Sequence, residues 1–145
     1  MFSHMLFEHI EAPLVAHQNI YSALVPGGLA IHLYASANNL PLALNRLLPE
    51  WLGRLVVKIA QPERDLTGHQ VKFPAYYKLC GNPSRRLHEQ FERIGYTVIR
   101  HTSYIGHGYY RRFPLLRDIE YACRRPFLKA GIPLTSAHLL ILKKQ

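Results

Sequence analysis

The sequence contains few of the residues that define several large protein classes. Its 145 residues include only two cysteines, Cys80 and Cys123, without a CxxC motif, which argues against a disulfide framework. No apolar run reaches the roughly 18 residues that a membrane-spanning helix needs. Met1–Ile10 lacks the basic and apolar regions of a signal peptide. The sequence therefore predicts a cytoplasmic protein with reduced thiols.

Acidic residues are also scarce. The chain has 9 Asp and Glu against 18 Lys and Arg, a formal net charge of +9. Residues 1–53 contain one basic and three acidic side chains, whereas residues 54–145 contain the other 17 basic and six acidic ones. Such asymmetry can mark a surface for a polyanion. Because no nucleic-acid-binding motif accompanies it, a solvated basic face is favoured and nucleic acid is not a predicted partner.

What is present is an ordinary globular composition, with 48% hydrophobic residues, enough for one domain with a core. Glu8–Leu24 is predicted to be a helix that ends at the turn VPGG, because glycine adopts the positive φ that such a turn requires. The apolar face predicted for this helix consists of Ile10, Leu14, Tyr21 and Leu24. Leu29–Ala35 follows as a strand without clean alternation, which indicates a strand covered on both faces.

The remaining elements alternate between helices and strands. Asn82–Tyr96 is the clearest helix, with Asn82 as its cap and Pro83 in its first turn. Its apolar stripe consists of Leu87, Phe91 and Ile94. Strands are predicted over Tyr96–Tyr104 and Ser136–Lys144. Two excursions interrupt this order, at about residues 38–80 and 106–134, and the second contains a short predicted helix over Leu115–Cys123.

Two short motifs and this element order resemble a known family. HMLFEHIEAP and the turn VPGG place Glu8–Ile10 and Pro26–Gly28 at a defined spacing, and FERIGYTVIRHTSY and SAHLLILKK follow. Together they resemble the second half of class I S-adenosylmethionine-dependent methyltransferases, especially those that act on small molecules. The resemblance covers essentially the whole chain and implies an α/β fold. The implied fold is a partial Rossmann-like sheet with helices on its faces, in which the family's fifth, seventh and sixth strands are neighbours and the terminal strand is antiparallel.

The resemblance also implies that part of the family's domain is missing. In the family, the cofactor lies on a glycine-rich loop after the first strand, and an acid after the second strand holds the ribose hydroxyls. Neither is found here, since the glycine-dense stretch Gly106–Gly108 lies far downstream. We therefore expect residues 1–145 to be a single truncated methyltransferase domain, from a truncated or mis-assigned reading frame or a degenerate paralogue. We expect it to be inactive alone, with Met1–His4 as the end of the fourth strand.

Candidate cofactor residues follow from the same resemblance. Ser3, His4, Met5 and Leu6 match the strand end that borders the methionine part of S-adenosylmethionine. The alternative is that Met1–His4 is a frayed chain end. Glu8 and His9 match the family motif; Glu8 could instead complement a helix dipole, and His9 is a candidate general base.

The stretch YIGHGYYRRF is the most suggestive region for substrate binding. His107 is a candidate base. Its neighbours provide two aromatic rings that can line a pocket and two guanidinium groups that can pair with anions. These neighbours are Tyr109, Tyr110, Arg111 and Arg112. By resemblance, the loop after the family's sixth strand lies near the substrate. The alternative is a packed insert with a solvated arginine pair.

Two functions of different classes remain open. The first is methyl transfer by in-line attack of a small-molecule nucleophile, in which the enzyme mainly positions the reactants. The second is a non-catalytic module that binds an anionic partner through Arg85, Arg86, Arg111, Arg112, Arg124 and Arg125. The histidines show no HxH or HxxxH spacing, so no metal site is predicted.

Two features bear on partners. The leucine-rich excursion around Trp51 is consistent with an apolar substrate or a contact with a membrane surface, or with an amphipathic helix packed on the domain. The predicted strand Leu29–Tyr34 would be covered on one flank only by Met1–His4. We therefore expect self-association through an exposed sheet edge.

Overall fold

A computed structural model describes residues 1–38, 74–106, 114–131 and 133–145, with the single positions 49, 52, 55 and 58. These residues form an α/β arrangement with a four-stranded mixed sheet. The strands are Phe2–His4 (β1), Leu29–Ala35 (β2), Tyr96–Tyr104 (β3) and Ala137–Lys144 (β4). The helices are Pro13–Ala23 (α1), Arg85–Glu92 (α2) and Pro114–Lys129 (α3), and Phe7–His9 forms a 3₁₀ turn.

The sheet order is β1-β2-β4-β3, so the last of these strands in the sequence is an interior strand. β4 is antiparallel to both neighbours, with Leu140 opposite His32 on one side and His101 on the other. This confirms the predicted placement of the terminal strand. β1 pairs with β2 in parallel, with Ser3 opposite His32. The frayed end considered for Met1–His4 is therefore wrong.

One face of the sheet, here called the inner face, is buried. It consists of alternate residues of β2 and β4: Ala30, His32, Tyr34, His138, Leu140 and Leu142. The opposite face is only partly covered, with Ile31 and Leu33 at intermediate exposure. β2 therefore alternates between buried and half-buried side chains, so both faces are covered, one fully and the other only in part. Alternation is hard to recognise here because the buried positions include polar side chains, which are tolerated since they are hydrogen-bonded.

Helix α1 begins at Pro13 rather than at Glu8. Proline has no N–H to donate, so the first turn of a helix suits it. The buried face of α1 consists of Pro13, His17 and Ile20, whereas Leu14 is 41% exposed. The predicted apolar face is therefore rotated, although Ile10, Tyr21 and Leu24 do pack against the core.

The turn between α1 and β2 is tied to the end of β4. Gly27 has a φ of 75° and donates its N–H to the Lys144 carbonyl at 3.0 Å. Lys144 Nζ donates to the Tyr21 and Leu24 carbonyls at 2.8 and 2.7 Å. These are carbonyls at the C-terminal end of α1, which a cation stabilises. The predicted role of the VPGG turn is confirmed.

Helix α2 is shorter than predicted, and its cap is Ser84 rather than Asn82. The Ser84 side chain accepts from the Leu87 N–H at 3.3 Å. Leu87 and Phe91 are buried, as predicted, and Gly95 follows with a φ of 111°. A Cβ at Gly95 would lie 2.6 Å from Tyr21 Oη, so this turn requires glycine for both its angle and its close approach.

Helix α3 extends beyond the predicted Leu115–Cys123, to Lys129. It continues through Pro126 because a proline so near the end of a helix removes only one hydrogen bond. Most of the first excursion, including Trp51, and residues 107–113 of the second lie outside the described residues.

Candidate functional site

Three strand ends meet at one edge of the sheet. β1, β2 and β3 run in the same direction, since β1 is parallel to β2 and both β2 and β3 are antiparallel to β4. Their last residues are His4, Ala35 and Tyr104, and β4 begins at the same edge with Ala137 opposite both Ala35 and Tyr104. In open α/β sheets, ligands bind outside the carboxyl ends of the strands. We call this edge, with the residues that leave it, the carboxyl edge.

The exit of β1 contains the four predicted cofactor residues. Ser3 faces the inner face, where its Oγ and His32 Nδ1 are 2.8 Å apart, and it is only 7% exposed. His4 is exposed at the carboxyl edge. Met5 has a φ of 49° and donates its N–H to the Leu33 carbonyl at 2.7 Å. A positive φ is uncommon for a side chain of this size.

The turn at Met5 exposes two apolar side chains. Met5 and Leu6 are 41% and 48% exposed, directly after the strand. They form an apolar wall at the carboxyl edge, whereas Ser3 is held by its hydrogen bond to His32. Of the four candidates, His4, Met5 and Leu6 are accessible to a ligand, and their contact with a cofactor stays a prediction.

A buried hydroxyl network joins β2 to β4 beneath this edge. Ser36 Oγ and Thr135 Oγ1 are 2.7 Å apart, and Thr135 Oγ1 donates to Asn82 Oδ1 at 3.0 Å. Asn38 donates its N–H to Ser36 Oγ at 3.0 Å. Asn82, predicted as a helix cap, instead holds this network. Each of these groups has a hydrogen-bond partner. The network therefore stiffens the structure beneath the carboxyl edge, and its groups are not free to react.

The segment that leaves β3 is held by the start of β4. Gly106 donates its N–H to Ser136 Oγ at 3.1 Å, and Ser136 donates its own N–H to the Tyr104 carbonyl at 2.8 Å. Gly106 has a φ of 138°, outside the range of ordinary side chains. The predicted substrate residues follow this anchor but lie outside the described residues; they are His107, Tyr109, Tyr110, Arg111 and Arg112.

A cavity of about 180 Å³ lies beside this anchor, between the exit of β3 and α3. Its lining residues are Ile105, Gly106, Arg117, Glu120, Tyr121 and Arg124. Glu120 is 4% exposed, and its Oε2 has no hydrogen-bond partner within the described part of the chain. Burial raises the pKa of the Glu120 carboxyl, and Arg124 partly opposes that shift. Glu120 could not be selected from the sequence, because its position in the helix pattern is typical of a solvated side chain.

Glu8 and His9 lie in the 3₁₀ turn rather than in a helix that continues into α1. Glu8 is 4% exposed, and its carbonyl accepts from the N–H groups of Tyr76 and Tyr77 at 2.8 and 3.1 Å. The first turn of α1 contains no acid, so Glu8 does not complement its dipole. His9 Nδ1 lies 2.8 Å from the Pro74 carbonyl oxygen. In the structure both residues fasten residues 74–77 to the start of the chain.

Four of the six arginines proposed for an anionic partner lie on two helices, and Arg111 and Arg112 lie outside the described residues. Arg85 and Arg86 belong to α2, Arg124 and Arg125 to α3, and all four are exposed. Arg85 pairs with Glu89 at 3.0 Å, one turn away. A groove between α1 and α2 is lined by Leu14, Gln18, Arg86, Glu89, Gln90, Arg93 and Ile94.

Two absences concern the part of the chain that the structure describes. No group of three or more His, Cys, Asp or Glu side chains there could hold a metal ion. None of its helices is long and apolar enough to cross a membrane.

Comparison with known proteins gives a distant structural similarity. No family model matches the chain, and no curated protein matches it. Among solved structures, the cyclopropane synthase MmaA2 from Mycobacterium tuberculosis is 17% identical with a TM-score of 0.49. The alignment covers 99% of this chain and 54% of that one, so this chain spans about half the length of that protein. At this degree of similarity, no activity or ligand is transferred from one to the other.

Proposed function

We propose that the chain is part of an S-adenosylmethionine-dependent methyltransferase that acts on a small molecule. The observation that carries the proposal is the insertion of antiparallel β4 between β2 and β3 in a sheet whose other strands are parallel. The motif resemblance implies this arrangement for the family's fifth, seventh and sixth strands. The carboxyl edge, with its exposed Met5 and Leu6, is then the cofactor side of the domain.

Methyl transfer requires of this chain mainly that it help to position the two reactants. S-adenosylmethionine supplies an activated methyl group, and a nucleophile of the acceptor forms a bond to that carbon as the carbon–sulfur bond breaks. In this proposal, Met5 and Leu6 exclude water from one side of the cofactor. In this proposal, the glycine-rich loop and the ribose acid of the family belong to another part of the methyltransferase, since neither is found among these 145 residues.

The acceptor side is assigned to the cavity between Gly106 and α3. Its buried Glu120 carboxyl lines the cavity and, in this proposal, accepts a proton from an acceptor hydroxyl or amine; burial raises the pKa of this group. The exposed guanidinium of Arg124 in the same cavity would balance the charge of the ionised carboxylate.

The deciding experiment measures cofactor binding by titration calorimetry in two proteins. One is the 145-residue chain, and the other is the same chain preceded by the coding sequence that lies directly upstream of it. We expect micromolar binding, about 8 kcal/mol, only in the extended protein. The single wall at Met5 and Leu6 cannot replace several hydrogen bonds to charged groups, each contributing about 1.5–3 kcal/mol.

A matched pair of variants locates the site in the extended protein. Leu6→Ala is expected to weaken cofactor binding several-fold, whereas Val25→Ala should leave it unchanged. Val25 is 71% exposed but lies in the turn before β2, at the opposite edge of the sheet. The proposal fails if the extended protein does not bind the cofactor. Saturable micromolar binding by the 145-residue chain would instead overturn the view that half of the pocket lies outside it.

The alternative function, a basic module for an anionic partner, is favoured by the groove between α1 and α2. Arg86 and Arg93 line the groove, and neither is in an ion pair with another described residue. We expect an Arg86→Gln, Arg93→Gln double variant to elute from heparin at the same salt concentration as the parent if methyl transfer is the function. A large decrease in that concentration would favour the alternative.

A further inference from the structure

Histidines that are far apart in the sequence meet on the inner face of the sheet. His17 of α1 and His32 of β2 lie with ring centroids 5.1 Å apart, and the Phe7 ring lies 4.4 Å from each of them. The two histidines are 2% and 0% exposed. Among the residues that the structure describes, His17 Nδ1 and His32 Nε2 have no hydrogen-bond partner.

A second group lies beside the first, between α2 and the sheet. His101 Nδ1 is 3.1 Å from His88 Nε2, and His101 Nε2 is 3.1 Å from Tyr34 Oη. His138 Nδ1 is 3.1 Å from Ser103 Oγ, and its ring centroid is 5.5 Å from that of His101. Five histidines that are scattered in the sequence therefore lie in one layer between the sheet and its helices. They are His17, His32, His88, His101 and His138.

The groups that face this layer provide no counter-ion. Among the described residues, no carboxylate is hydrogen-bonded to or paired with His17, His32, His101 or His138. The neighbours of His17 are the rings of Phe7, Phe91 and Tyr96 from three different elements. The neighbours of His138 are Tyr34, His101, Ser103 and Thr135.

Three other titratable groups border the layer. Glu8 is a buried acid on the 3₁₀ turn, and burial raises the pKa of the neighbouring Cys80 thiol to about 12, with a further contribution from Glu8. The chain's amino terminus acts on His32 as a like charge. His17, His32 and His138 are buried and His101 is half-buried, so a proton added to any of them creates a poorly hydrated cation beside other histidines, which is unfavourable.

We propose that four histidines of this layer, His17, His32, His101 and His138, form an acid-sensitive switch that releases α1 and α2 from the sheet as the pH falls below about 6.5. Below about pH 6.5, each ring is neutral while it is buried and becomes protonated once it is exposed to water. Because the four lie in one layer, release of either helix hydrates the rings beneath it. The switch is thus cooperative.

The direction and size of the effect follow from proton linkage. Burial lowers the pKa of His17 to about 3, and the pKa values of His32, His101 and His138 to about 4. The ordinary value of about 6.5 applies once the layer is open. The stabilisation is therefore complete above pH 6.5 and is lost as the pH falls toward 4. At pH 5.5 opening takes up about three and a half protons, and the opening equilibrium constant rises roughly 10⁴-fold between pH 7.5 and 5.5.

The test is denaturant unfolding of the whole 145-residue chain at several pH values from 7.5 to 4.5. We expect a linkage slope of three to four protons near pH 5.5. His101→Gln should lower the slope by about one proton, since the amide stays neutral, and His4→Gln should not, because His4 is exposed. A slope of one proton or less in the parent chain would overturn the proposal.

A second measurement uses only the parent chain, so it does not depend on whether a variant folds. Nitrogen-15 shifts of the imidazole rings report their charge in the parent chain. We expect the four rings to remain neutral in the folded signals down to the pH at which those signals disappear. Folded-state signals of protonated His101 or His138 at pH 5.5 would contradict the proposal.

Discussion

The two sides of β2 are paired very differently. On one side β4 lies against it over seven residue pairs, Leu29 to Ala35, and itself pairs with β3 on its other side. On the other side β1 contributes three pairs, Phe2 to His4. The β4 side contains buried Leu140 and Leu142, whereas Met5 and Leu6, directly after β1, are exposed. The β4 side therefore holds most of the sheet together, while the β1 side leaves Met5 and Leu6 exposed at the carboxyl edge.

The largest expected effect tests this division directly. Leu140→Ala removes a side chain that is 0% exposed from the central strand, and we expect a loss of about 2–5 kcal/mol in the free energy of unfolding. Leu6→Ala, at a position that is 48% exposed after β1, should change it by less than about 0.5 kcal/mol. Denaturant unfolding at neutral pH measures both. Equal losses would remove the contrast between the two sides.

The next effect concerns the turn into β3. Gly95→Ala places a Cβ 2.6 Å from Tyr21 Oη at a φ of 111°, so we expect a loss of about 1–3 kcal/mol. Gly81→Ala is the matched control, since its Cβ would meet nothing within 4 Å. Thermal unfolding of the two variants compares them, and a Gly95→Ala protein as stable as Gly81→Ala would contradict the packing described for this turn.

The β1 side is expected to associate. Among the described residues, β1 is an edge strand of the sheet and Phe2 is 65% exposed, an arrangement that invites pairing with a second copy. We predict dimers or larger species at micromolar concentration, and a roughly tenfold weaker association, about 1.4 kcal/mol, in Phe2→Lys. Light scattering across a dilution series measures this. A monomeric parent chain at these concentrations would show that the edge is protected.

The smallest effect concerns the helix that covers β3. Ser84→Ala removes the side-chain cap of α2, and we expect a loss of about 1 kcal/mol. Ser22→Ala is a suitable control, because Ser22 Oγ donates only to the Gln18 carbonyl within α1 and is exposed. If both substitutions have equal effects on the denaturation midpoint, the cap at Ser84 contributes nothing to stability.

The elements themselves were largely predictable from local sequence. β2, β3 and β4 are apolar runs bounded by turn residues, and the VPGG turn ends α1 as expected. The start of α1 was not predictable in the same way, because Phe7–His9 forms a 3₁₀ turn that satisfies the same residue pattern. Ser84 and Asn82 are both good caps, and only the hydrogen bond from Thr135 to Asn82 decides between them.

The candidate site was predictable only in part. The exposed position of Met5 and Leu6 follows from the strand that precedes them. The bond from Ser3 to His32 and the burial of Glu120 depend on register and on packing between distant segments. The same is true of the histidine layer, since His101 and His138 become neighbours only through the register of β3 with β4. The register of paired strands depends on the whole sheet, so it cannot be predicted from any short stretch of the sequence.

The placement of β4 has a consequence for how the chain is made. Synthesis proceeds from β2 through β3 to β4, yet β2 and β3 do not pair with each other. Until β4 leaves the ribosome, each therefore has an unpaired flank beside apolar residues, which is the condition under which nascent chains aggregate. Closing the sheet then joins segments far apart in sequence, a step that is intrinsically slow. The strand that stabilises the finished sheet is thus the last of the four to be synthesised, and the sheet can close only after the other three have been made.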